Sequence, residues 1–257
     1  MKTIAVITGA SSGMGRRFVE TLNELGPFDE VWAIARRAER LEDLKAAVPF
    51  ALRPLAMDLS DRESYKTYAA LLEQEQPQIG LLINASGFGK FRATLDEPLD
   101  VNLNMVDLNC QAIQALCQLS IPYMAPGSKI VNIASVAAFQ PTPYINVYAA
   151  TKAFVLSYSR ALNREMKSRG IHVMAACPFW TKSEFFDRAI DDQKPKVVKK
   201  YIAMYTPEQV VAQTWKDLKK GKDVSICGFK AKGQTLLTKL LPHGFVMNFW
   251  LRQQKLN

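Results

Sequence analysis

Tyr148 and Lys152 stand four residues apart, the spacing that places two side chains on one face of an α-helix. A tyrosine hydroxyl, whose reference pKa is about 10, exchanges a proton poorly at neutral pH unless its phenolate is stabilised. A lysine ammonium beside it provides that stabilisation by Coulomb attraction. The pair therefore indicates proton transfer to or from an oxygen atom, which hydride transfer between an alcohol and a carbonyl requires.

Ser135 adds a third polar group at the end of the apolar run Ile130–Ala134, which has the pattern of a buried strand. Its hydroxyl can bind a carbonyl oxygen and hold it close to Tyr148. These side chains must be positioned by a strand that ends at Ser135 and by a helix that carries both Tyr148 and Lys152.

A glycine-rich turn follows the first apolar run and opens an amphipathic stretch. It reads Thr8-Gly9-Ala10-Ser11-Ser12-Gly13-Met14-Gly15-Arg16. Glycines permit a tight turn and close backbone approach, and they direct a helix N-terminus at a pyrophosphate. Three glycines in a loop are a weak signal alone, but the position between a strand and a helix strengthens the prediction of a dinucleotide site.

Short apolar runs alternate with amphipathic stretches along the chain, which predicts an α/β, Rossmann-like doubly wound parallel sheet with helices on both faces. The predicted strands are Ile4–Thr8, Val31–Ala35, Leu52–Met57, Leu81–Asn84, Ile130–Ala134, Val173–Cys177 and Val224–Cys227. The predicted helices are Gly13–Leu25, Ala38–Ala47, Arg62–Glu75, Val101–Leu119, Val147–Arg169 and Pro207–Lys219. Ligands of such sheets bind at the carboxyl ends of the strands.

Composition limits the remaining possibilities. The 257 residues fit one domain spanning 1–257, with 48% hydrophobic residues. No stretch approaches the roughly 20 apolar residues of a membrane span, and Met1–Thr8 leads straight into a strand without a signal-peptide pattern. We therefore expect a cytoplasmic protein. The net charge of +9 is spread widely without a nucleic-acid-binding signature, so a solvated basic surface is favoured over nucleic-acid binding.

Cysteine and histidine spacing argues against a metal site. The cysteines lie far apart with no CxxC pair, and two histidines cannot complete a zinc set with them. We expect no metal and free thiols at Cys110, Cys117, Cys177 and Cys227.

The motifs together resemble the short-chain dehydrogenase/reductase family in its short form. The resemblance rests on the TGxxxGxG turn, on Asn84-Ala85-Ser86-Gly87, on Asn109 and Ser135, and on Tyr148-Ala149-Ala150-Thr151-Lys152, and covers about the first 185 residues. It implies that Tyr148 is the catalytic acid or base, that Lys152 also binds the nicotinamide ribose, that Ser135 orients the substrate and that Asn109 supports a water relay. It also implies a homodimer or homotetramer.

The end of the second strand predicts NADP(H) as the cofactor. Ala35 stands where an NAD enzyme usually carries an acidic residue, and Arg36 and Arg37 follow it. A guanidinium can bind a 2′-phosphate through two charge-assisted hydrogen bonds, so we expect Arg36 to be the principal contact and Arg37 a helper. By resemblance, the predicted cofactor-binding residues are Gly9, Ser11, Ser12, Gly13, Met14, Gly15, Arg36, Arg37, Asp58, Leu59, Asn84, Ala85, Ser86, Tyr148, Lys152, Pro178, Thr181 and Ser183.

The chain departs from the family pattern after its sixth predicted strand. Phe179 replaces a usual glycine, which puts the local backbone path in question, and Ser183 stands where relatives carry a threonine. Thr181 can still offer its backbone N–H to the nicotinamide carboxamide. Ala138 replaces another frequent glycine.

Aromatic residues are dense in a predicted substrate lid over residues 179–205, which favours an apolar pocket for a lipophilic carbonyl compound or hydroxysteroid. Packing of the lid on the core is an equally open explanation. The tail 229–257 predicts two amphipathic helices broken at Pro242 and Gly244. It is expected to cover the site or pack against another subunit, with a weak membrane-surface contact through Lys230, Lys232, Lys239 and Arg252 as the alternative.

Other functions remain open from the sequence. A 3-oxoacyl-thioester reductase is the main alternative, since a basic lid would attract an acidic carrier or a CoA phosphate; its lysines are Lys194, Lys196, Lys199 and Lys200. A non-catalytic dinucleotide-binding protein and a basic membrane or nucleic-acid adaptor are the others.

Overall fold

The computed structural model describes residues 1–190 and 196–256, and its centre is a seven-stranded sheet. The strands are β1 (Thr3–Thr8), β2 (Glu30–Ala35), β3 (Leu52–Ala56), β4 (Gln78–Asn84), β5 (Lys129–Ile133), β6 (His172–Ala176) and β7 (Val224–Ser225). All neighbours pair in parallel, in the order β3-β2-β1-β4-β5-β6-β7. The order reverses between β1 and β4, which places the switch point of the sheet there.

Helices connect the strands and extend beyond the last one. They are α1 (Gly13–Glu20), α2 (Ala38–Ala47), α3 (Glu63–Glu75), α4 (Leu99–Val106), α5 (Ala112–Ser120), α6 (Asn146–Glu165), α7 (Glu184–Ile190), α8 (Pro207–Lys219), α9 (Phe229–Leu240) and α10 (His243–Gln254).

Alternate side chains of β1 point to opposite faces of the sheet, and both faces are covered by helices, which explains why the strand has no polar face. Ile4 and Val6 pack with residues of α3, α5 and α6 on one side of the sheet, whereas Ala5 and Ile7 pack with α1, α2 and α8 on the other. Both faces are therefore buried, as near-continuous apolar strands require. The expected doubly wound parallel sheet and the helical tail are confirmed.

Element ends differ from expectation at several points. The helix expected over Val101–Leu119 contains a π-helical turn, Asp107–Gln111, between α4 and α5. The last strand stops at Ser225 instead of Cys227. In the tail, Pro242 does separate two helices, but the expected break at Gly244 is wrong, because one glycine in the first turn of α10 does not prevent helix formation.

The structure addresses two further expectations, which concern the cysteines and membrane-spanning segments. Cys110, Cys117, Cys177 and Cys227 are buried free thiols. Within residues 1–190 and 196–256, no helix has both the length and the apolar character needed to cross a bilayer.

Candidate functional site

Two connected clefts lie at the carboxyl ends of the central strands. The glycine-turn cleft is lined by predicted residues Gly9, Ser11, Ser12, Gly13, Met14, Gly15, Arg36, Arg37, Asp58, Leu59, Ala85 and Ser86. The tyrosine cleft is lined by predicted residues Ser135, Tyr148, Lys152, Pro178, Thr181 and Ser183. Met14, Ala85, Gly87, Ser183 and Phe185 line both, so a ligand can extend from one cleft into the other.

Two glycines of the turn, Gly9 and Gly15, have no room for a side chain. Gly9 has φ +67°, and a Cβ on it would lie 2.7 Å from the Ala85 carbonyl oxygen. A Cβ on Gly15 would lie 2.2 Å from the Gly9 carbonyl oxygen. Thr8 Oγ1 accepts hydrogen bonds of 3.0 Å from the backbone N–H groups of Ala85 and Ser86, which ties β1 to the loop after β4. This narrow cradle fits the pyrophosphate of a dinucleotide.

Arg37, and not Arg36, contacts the glycine turn. Its Nη2 donates to Ser11 Oγ at 3.1 Å and to Ser12 Oγ at 3.0 Å. Its Nη1 and the Nη1 of Arg40 donate to the Glu184 carboxylate at 3.0 and 2.5 Å. Hydrogen bonds from Arg40 and then Arg37 hold the pKa of Glu184 below its ordinary value. The two arginines therefore form a site that already binds an oxyanion, as a 2′-phosphate site must.

Arg36 lies on the other side of the cleft and pairs with Asp58, with Nη1 and Oδ2 3.8 Å apart. Asp58 also accepts hydrogen bonds from the backbone and hydroxyl of Ser60. Burial alone raises the pKa of Asp58, but Ser60 and Arg36 outweigh it and hold the pKa below its ordinary value. The geometry favours Arg37 over Arg36 as the principal phosphate contact, because α2 begins after Arg37 and the side chain of this extended residue reaches Ser12; the expected order of the two arginines stays a prediction.

Asn84 directs its side chain into the sheet. Its amide donates to Asn132 Oδ1 at 2.8 Å, and Asn132 donates in turn to Ser159 Oγ at 3.0 Å. This buried chain of hydrogen bonds joins β4, β5 and α6. The Asn84 side chain is therefore engaged in holding the strands, while the neighbouring Ala85 and Ser86 line the glycine-turn cleft.

Tyr148 is enclosed by aromatic rings. The Phe185 ring lies 5.4 Å and the Phe91 ring 6.2 Å from it, centroid to centroid. Burial raises the pKa of Tyr148 to about 12, and a hydrogen bond with Ser135 only partly opposes this. Desolvation therefore has the largest effect on this hydroxyl, and the role expected for Lys152 in stabilising the phenolate stays a prediction. Tyr148 is protonated at neutral pH.

Lys152 lies one helical turn after Tyr148 on α6. Its Nζ is 5.7 Å from the centroid of the Tyr148 ring and donates to the Ile133 carbonyl oxygen at 2.7 Å. The side chain is buried, and burial lowers the pKa of Lys152 to about 8. A buried lysine with a shifted pKa at the floor of a cleft is typical of a functional group.

Ser135 and Asn109 hold the surrounding backbone. Ser135 Oγ accepts from the Ala137 N–H at 3.1 Å and caps a short helical turn, Val136–Phe139. Asn109, in the π-helical turn, accepts from the Phe88 N–H at 3.1 Å and donates to the Phe88 carbonyl at 2.8 Å. It also donates to Thr151 Oγ1 at 3.1 Å, so it links that loop to α6. Its role in a water relay stays a prediction.

The lid begins without backbone strain. Phe179 is not among the positions with positive φ, so this backbone path needs no glycine. Thr181 is buried and pairs with Tyr205 in a parallel bridge, and Thr181 Oγ1 donates to the Phe179 carbonyl at 2.9 Å. Ser183 Oγ lies 3.4 Å from the Thr181 carbonyl. Lys194, part of the predicted basic lid, lies outside the described residues.

The tail completes the tyrosine cleft. The Trp250 indole donates to the Pro143 carbonyl at 3.1 Å and stacks near Trp180, with centroids 6.3 Å apart. Gln254 Oε1 accepts from the backbone N–H groups of Lys199 and Lys200 at 2.7 and 2.9 Å. The helix α10 therefore packs on the lid, in agreement with the expectation that the tail covers the site. Packing against another subunit and a membrane-surface contact stay predictions.

Several site residues were not identified from the sequence. They are Arg40, Glu184, Phe91, Gln234 and Gln253. Arg40 had a signal, because it lies one helical turn after Arg37. The others reach the site through contacts between distant segments, which local patterns do not reveal.

The chain is similar in sequence to known proteins. The family described as short chain dehydrogenase matches residues 3–194. A very-long-chain 3-oxoacyl-CoA reductase-B from Danio rerio is 28% identical over 218 residues, covering 80% of this chain and 66% of the relative. A related reductase from Anas platyrhynchos is 32% identical and covers 70% of this chain and 60% of the relative. The chain thus spans 60% to 66% of the length of these reductases.

Solved structures agree in fold. A short-chain dehydrogenase from Sphingobium yanoikuyae in complex with NADPH has a TM-score of 0.76 and 28% identity, covering 88% of this chain and 87% of that one. A bulky-bulky ketone specific alcohol dehydrogenase from Comamonas testosteroni has a TM-score of 0.71 and 25% identity, covering 88% and 86%. Because the family model matches residues 3–194 and the family's motifs line the two connected clefts, this chain belongs to the short-chain dehydrogenase family.

Proposed function

We propose that this protein is an NADP(H)-dependent oxidoreductase that interconverts a secondary alcohol and a ketone, with Tyr148 as acid and base. The observation that carries the proposal is the continuity of the two clefts. Ser135, Tyr148 and Lys152 line one, and the glycine turn and Arg37 line the other.

The geometry supports the following roles. Ser135 and Tyr148 hydrogen-bond the carbonyl oxygen, and Tyr148 donates its proton as negative charge develops there. Lys152 then stabilises the resulting phenolate through its nearby ammonium. Hydride transfer is the chemistry that a bound nicotinamide supplies. In oxidation the Tyr148 phenolate would accept the proton of the alcohol, and the raised pKa keeps the population of that phenolate low at neutral pH.

Selection of NADP(H) over NAD(H) is supported by the oxyanion site. Arg37 and Arg40 together bind the Glu184 carboxylate, and Ser11 and Ser12 lie within hydrogen-bond distance of Arg37. A 2′-phosphate carries more charge than a carboxylate and can accept from the same donors. The NADPH named with the relative from Sphingobium yanoikuyae is consistent with this selection.

A lipophilic substrate is supported by the lining of the tyrosine cleft. Its aromatic and aliphatic residues are Phe91, Ile133, Val136, Ile145, Phe179, Trp180, Phe185, Phe186, Ile202 and Trp250. Such a lining favours bulky ketones, including ketosteroids, because it gains little from a small polar carbonyl compound.

Reduction of a 3-oxoacyl thioester is the second candidate. It is favoured by the names of the reductases that the chain resembles and by Lys200 at the lining of the tyrosine cleft. Lys196 and Lys199 are exposed nearby in sequence and would attract an acidic carrier or a CoA phosphate. Comparison of a 3-oxoacyl-CoA with a bulky ketone of similar size separates the two candidates.

The test is a titration with NADPH and NADH, followed by reduction of a ketone panel by the wild type and by Tyr148→Phe. We expect tighter binding of NADPH and a loss of at least about 100-fold in kcat for the variant, since general acid catalysis contributes roughly 10²–10⁴-fold. Tyr123→Phe, outside both clefts, is the matched control. Binding of neither nucleotide would favour the adaptor role, and nucleotide binding without reduction of any ketone would favour a non-catalytic dinucleotide-binding protein. An active Tyr148→Phe would exclude Tyr148 as the acid.

A homodimer or homotetramer and a cytoplasmic location stay predictions from the family resemblance and from the sequence.

A further inference from the structure

The tail helices present an apolar surface to solvent. We define this tail surface as Phe229, Leu236, Leu237, Leu240, Leu241, Phe245 and Phe249. Phe229 is 81% exposed and Leu240 is 72% exposed. Scattered apolar residues are normal on a protein surface, but the spacing of Leu236, Leu237 and Leu240 places them on one face of α9, and an exposed apolar face of this kind marks an interaction site.

The polarity of α9 is inverted. Thr235 and Thr238 are buried, and their hydroxyls donate to the carbonyls of Lys232 and Thr235. Leu236 and Leu240, one helical turn apart, face outward. A helix that only had to pack on the rest of the protein would bury its leucines and expose its threonines. The outward leucines therefore need another explanation.

The tail surface is not a result of loose attachment. Trp250 and Gln254 fix α10 to the Pro143 carbonyl and to the backbone of Lys199 and Lys200. Val246, Trp250 and Gln254, each one turn apart, form the buried face of that helix. The orientation of Phe245 and Phe249 towards solvent is therefore set by the packing of the opposite face.

The charged residues around the tail surface indicate what kind of partner it binds. No aspartate or glutamate follows Asp223 in the sequence, whereas Lys230, Lys232, Lys239, Arg252 and Lys255 are exposed on the tail. A second copy docked on this surface would bring two sets of like charges together, which is unfavourable. An anionic bilayer instead accepts apolar side chains between its headgroups and attracts the surrounding cations.

We propose that the tail surface docks the protein on anionic lipid membranes. The same helices line the tyrosine cleft through Gln234, Trp250 and Gln253. The helices α9 and α10 therefore carry both the docked surface and one side of the substrate cleft. If the proposed function holds, a lipophilic ketone dissolved in the bilayer has a short path to Tyr148. The docking itself does not depend on the reaction.

The experiment is co-sedimentation of the full chain with vesicles of phosphatidylcholine containing about 30% phosphatidylserine, and with vesicles of pure phosphatidylcholine. We expect binding to the anionic vesicles that weakens as salt increases, and at least about tenfold weaker binding to the neutral ones. Leu240→Ser with Phe249→Ser should weaken binding by at least about tenfold, because both apolar side chains leave the bilayer.

The matched control is Leu99→Ser with Leu103→Ser, which removes two exposed leucines from α4 instead of the tail. It should bind vesicles as the wild type does, and melting curves should show all three proteins folded. No binding of the wild type, or an equal loss in the control, would overturn the proposal. So would a self-association that the tail variant alone abolishes while vesicle binding persists. NADPH titration of the same samples tests the proposed function separately.

Discussion

The Arg37 guanidinium donates a 3.0 Å hydrogen bond to the Glu184 carboxylate, although the two residues are 147 positions apart in the chain. Arg40 donates to the other oxygen of the same carboxylate. The first residue of the lid helix α7 is thereby attached to the oxyanion site beside the glycine turn. The next residue, Phe185, contacts the ring of Tyr148. One short helix thus contacts both the proposed phosphate site and the proposed proton donor.

Glu184→Gln should strengthen NADPH binding. The wild-type carboxylate competes with a 2′-phosphate for Arg37 and Arg40, and the amide competes less because it carries no charge. Half of the Glu184 side chain is exposed, so the gain is about 0.2–1 kcal/mol, or roughly 1.4- to fivefold in Kd. Titration with NADPH and NADH measures it, and NADH affinity should change little.

Glu20→Gln is the control for this change, because it neutralises another exposed carboxylate that pairs with arginines. Weaker NADPH binding by Glu184→Gln would mean that the carboxylate positions the arginines for the phosphate and does not compete with it.

Arg37→Ala should weaken NADPH binding more than Arg36→Ala. Arg37 contacts Ser11, Ser12 and Glu184, whereas Arg36 pairs with Asp58 over 3.8 Å. A hydrogen bond to a charged group contributes about 1.5–3 kcal/mol, so we expect roughly 10- to 100-fold weaker binding of NADPH and little change for NADH. Nicotinamide fluorescence gives both constants. A larger loss in Arg36→Ala would restore the order that the sequence suggests.

The two arginines show how far local patterns reach. The strand that ends at Ala35 and the helix that begins at Ala38 were predicted from periodicity, so both arginines were expected at the cleft. Which of two adjacent side chains faces the turn depends on one backbone conformation, and periodicity does not determine it. The ring packing that raises the pKa of Tyr148 likewise depends on Phe91 and Phe185, which are distant in sequence. Motifs fixed by local spacing were predictable; contacts between segments were not.

Lys152→Met should abolish activity while raising stability. The pKa of Lys152 falls from 10.5 to about 8 on burial, so the folded state disfavours the ammonium. At about 1.4 kcal/mol per pKa unit this costs up to about 3 kcal/mol. The cost is full below pH 8 and disappears as the pH rises towards 10.5, because the unfolded state binds the extra proton in that range.

Thermal melts of wild type and variant between pH 7 and pH 10 check this expectation. The variant should melt higher at pH 7, and the gap should close with rising pH. Lys129→Met is the control, since Lys129 also donates to a backbone carbonyl but from an exposed position. A gap that is independent of pH would mean that packing of the methionine, and not removal of the charge, sets the difference.

Gln234→Leu should change which ketones are reduced. Gln234 lines the tyrosine cleft, and its Oε1 is buried without a hydrogen-bond partner among the described residues. A buried acceptor of this kind costs about 1–3 kcal/mol of folding free energy, so removing it should leave the melting temperature unchanged or higher.

A substrate with a hydroxyl distant from its carbonyl can donate a hydrogen bond to this oxygen of Gln234. For such a ketone kcat/KM should fall about tenfold in the variant, whereas the analogue without the hydroxyl should be reduced equally well or better. Gln74→Leu, at an exposed position of α3 outside the tyrosine cleft, is the control. Equal losses for both ketones would show that Gln234 supports the cleft wall and does not read the substrate.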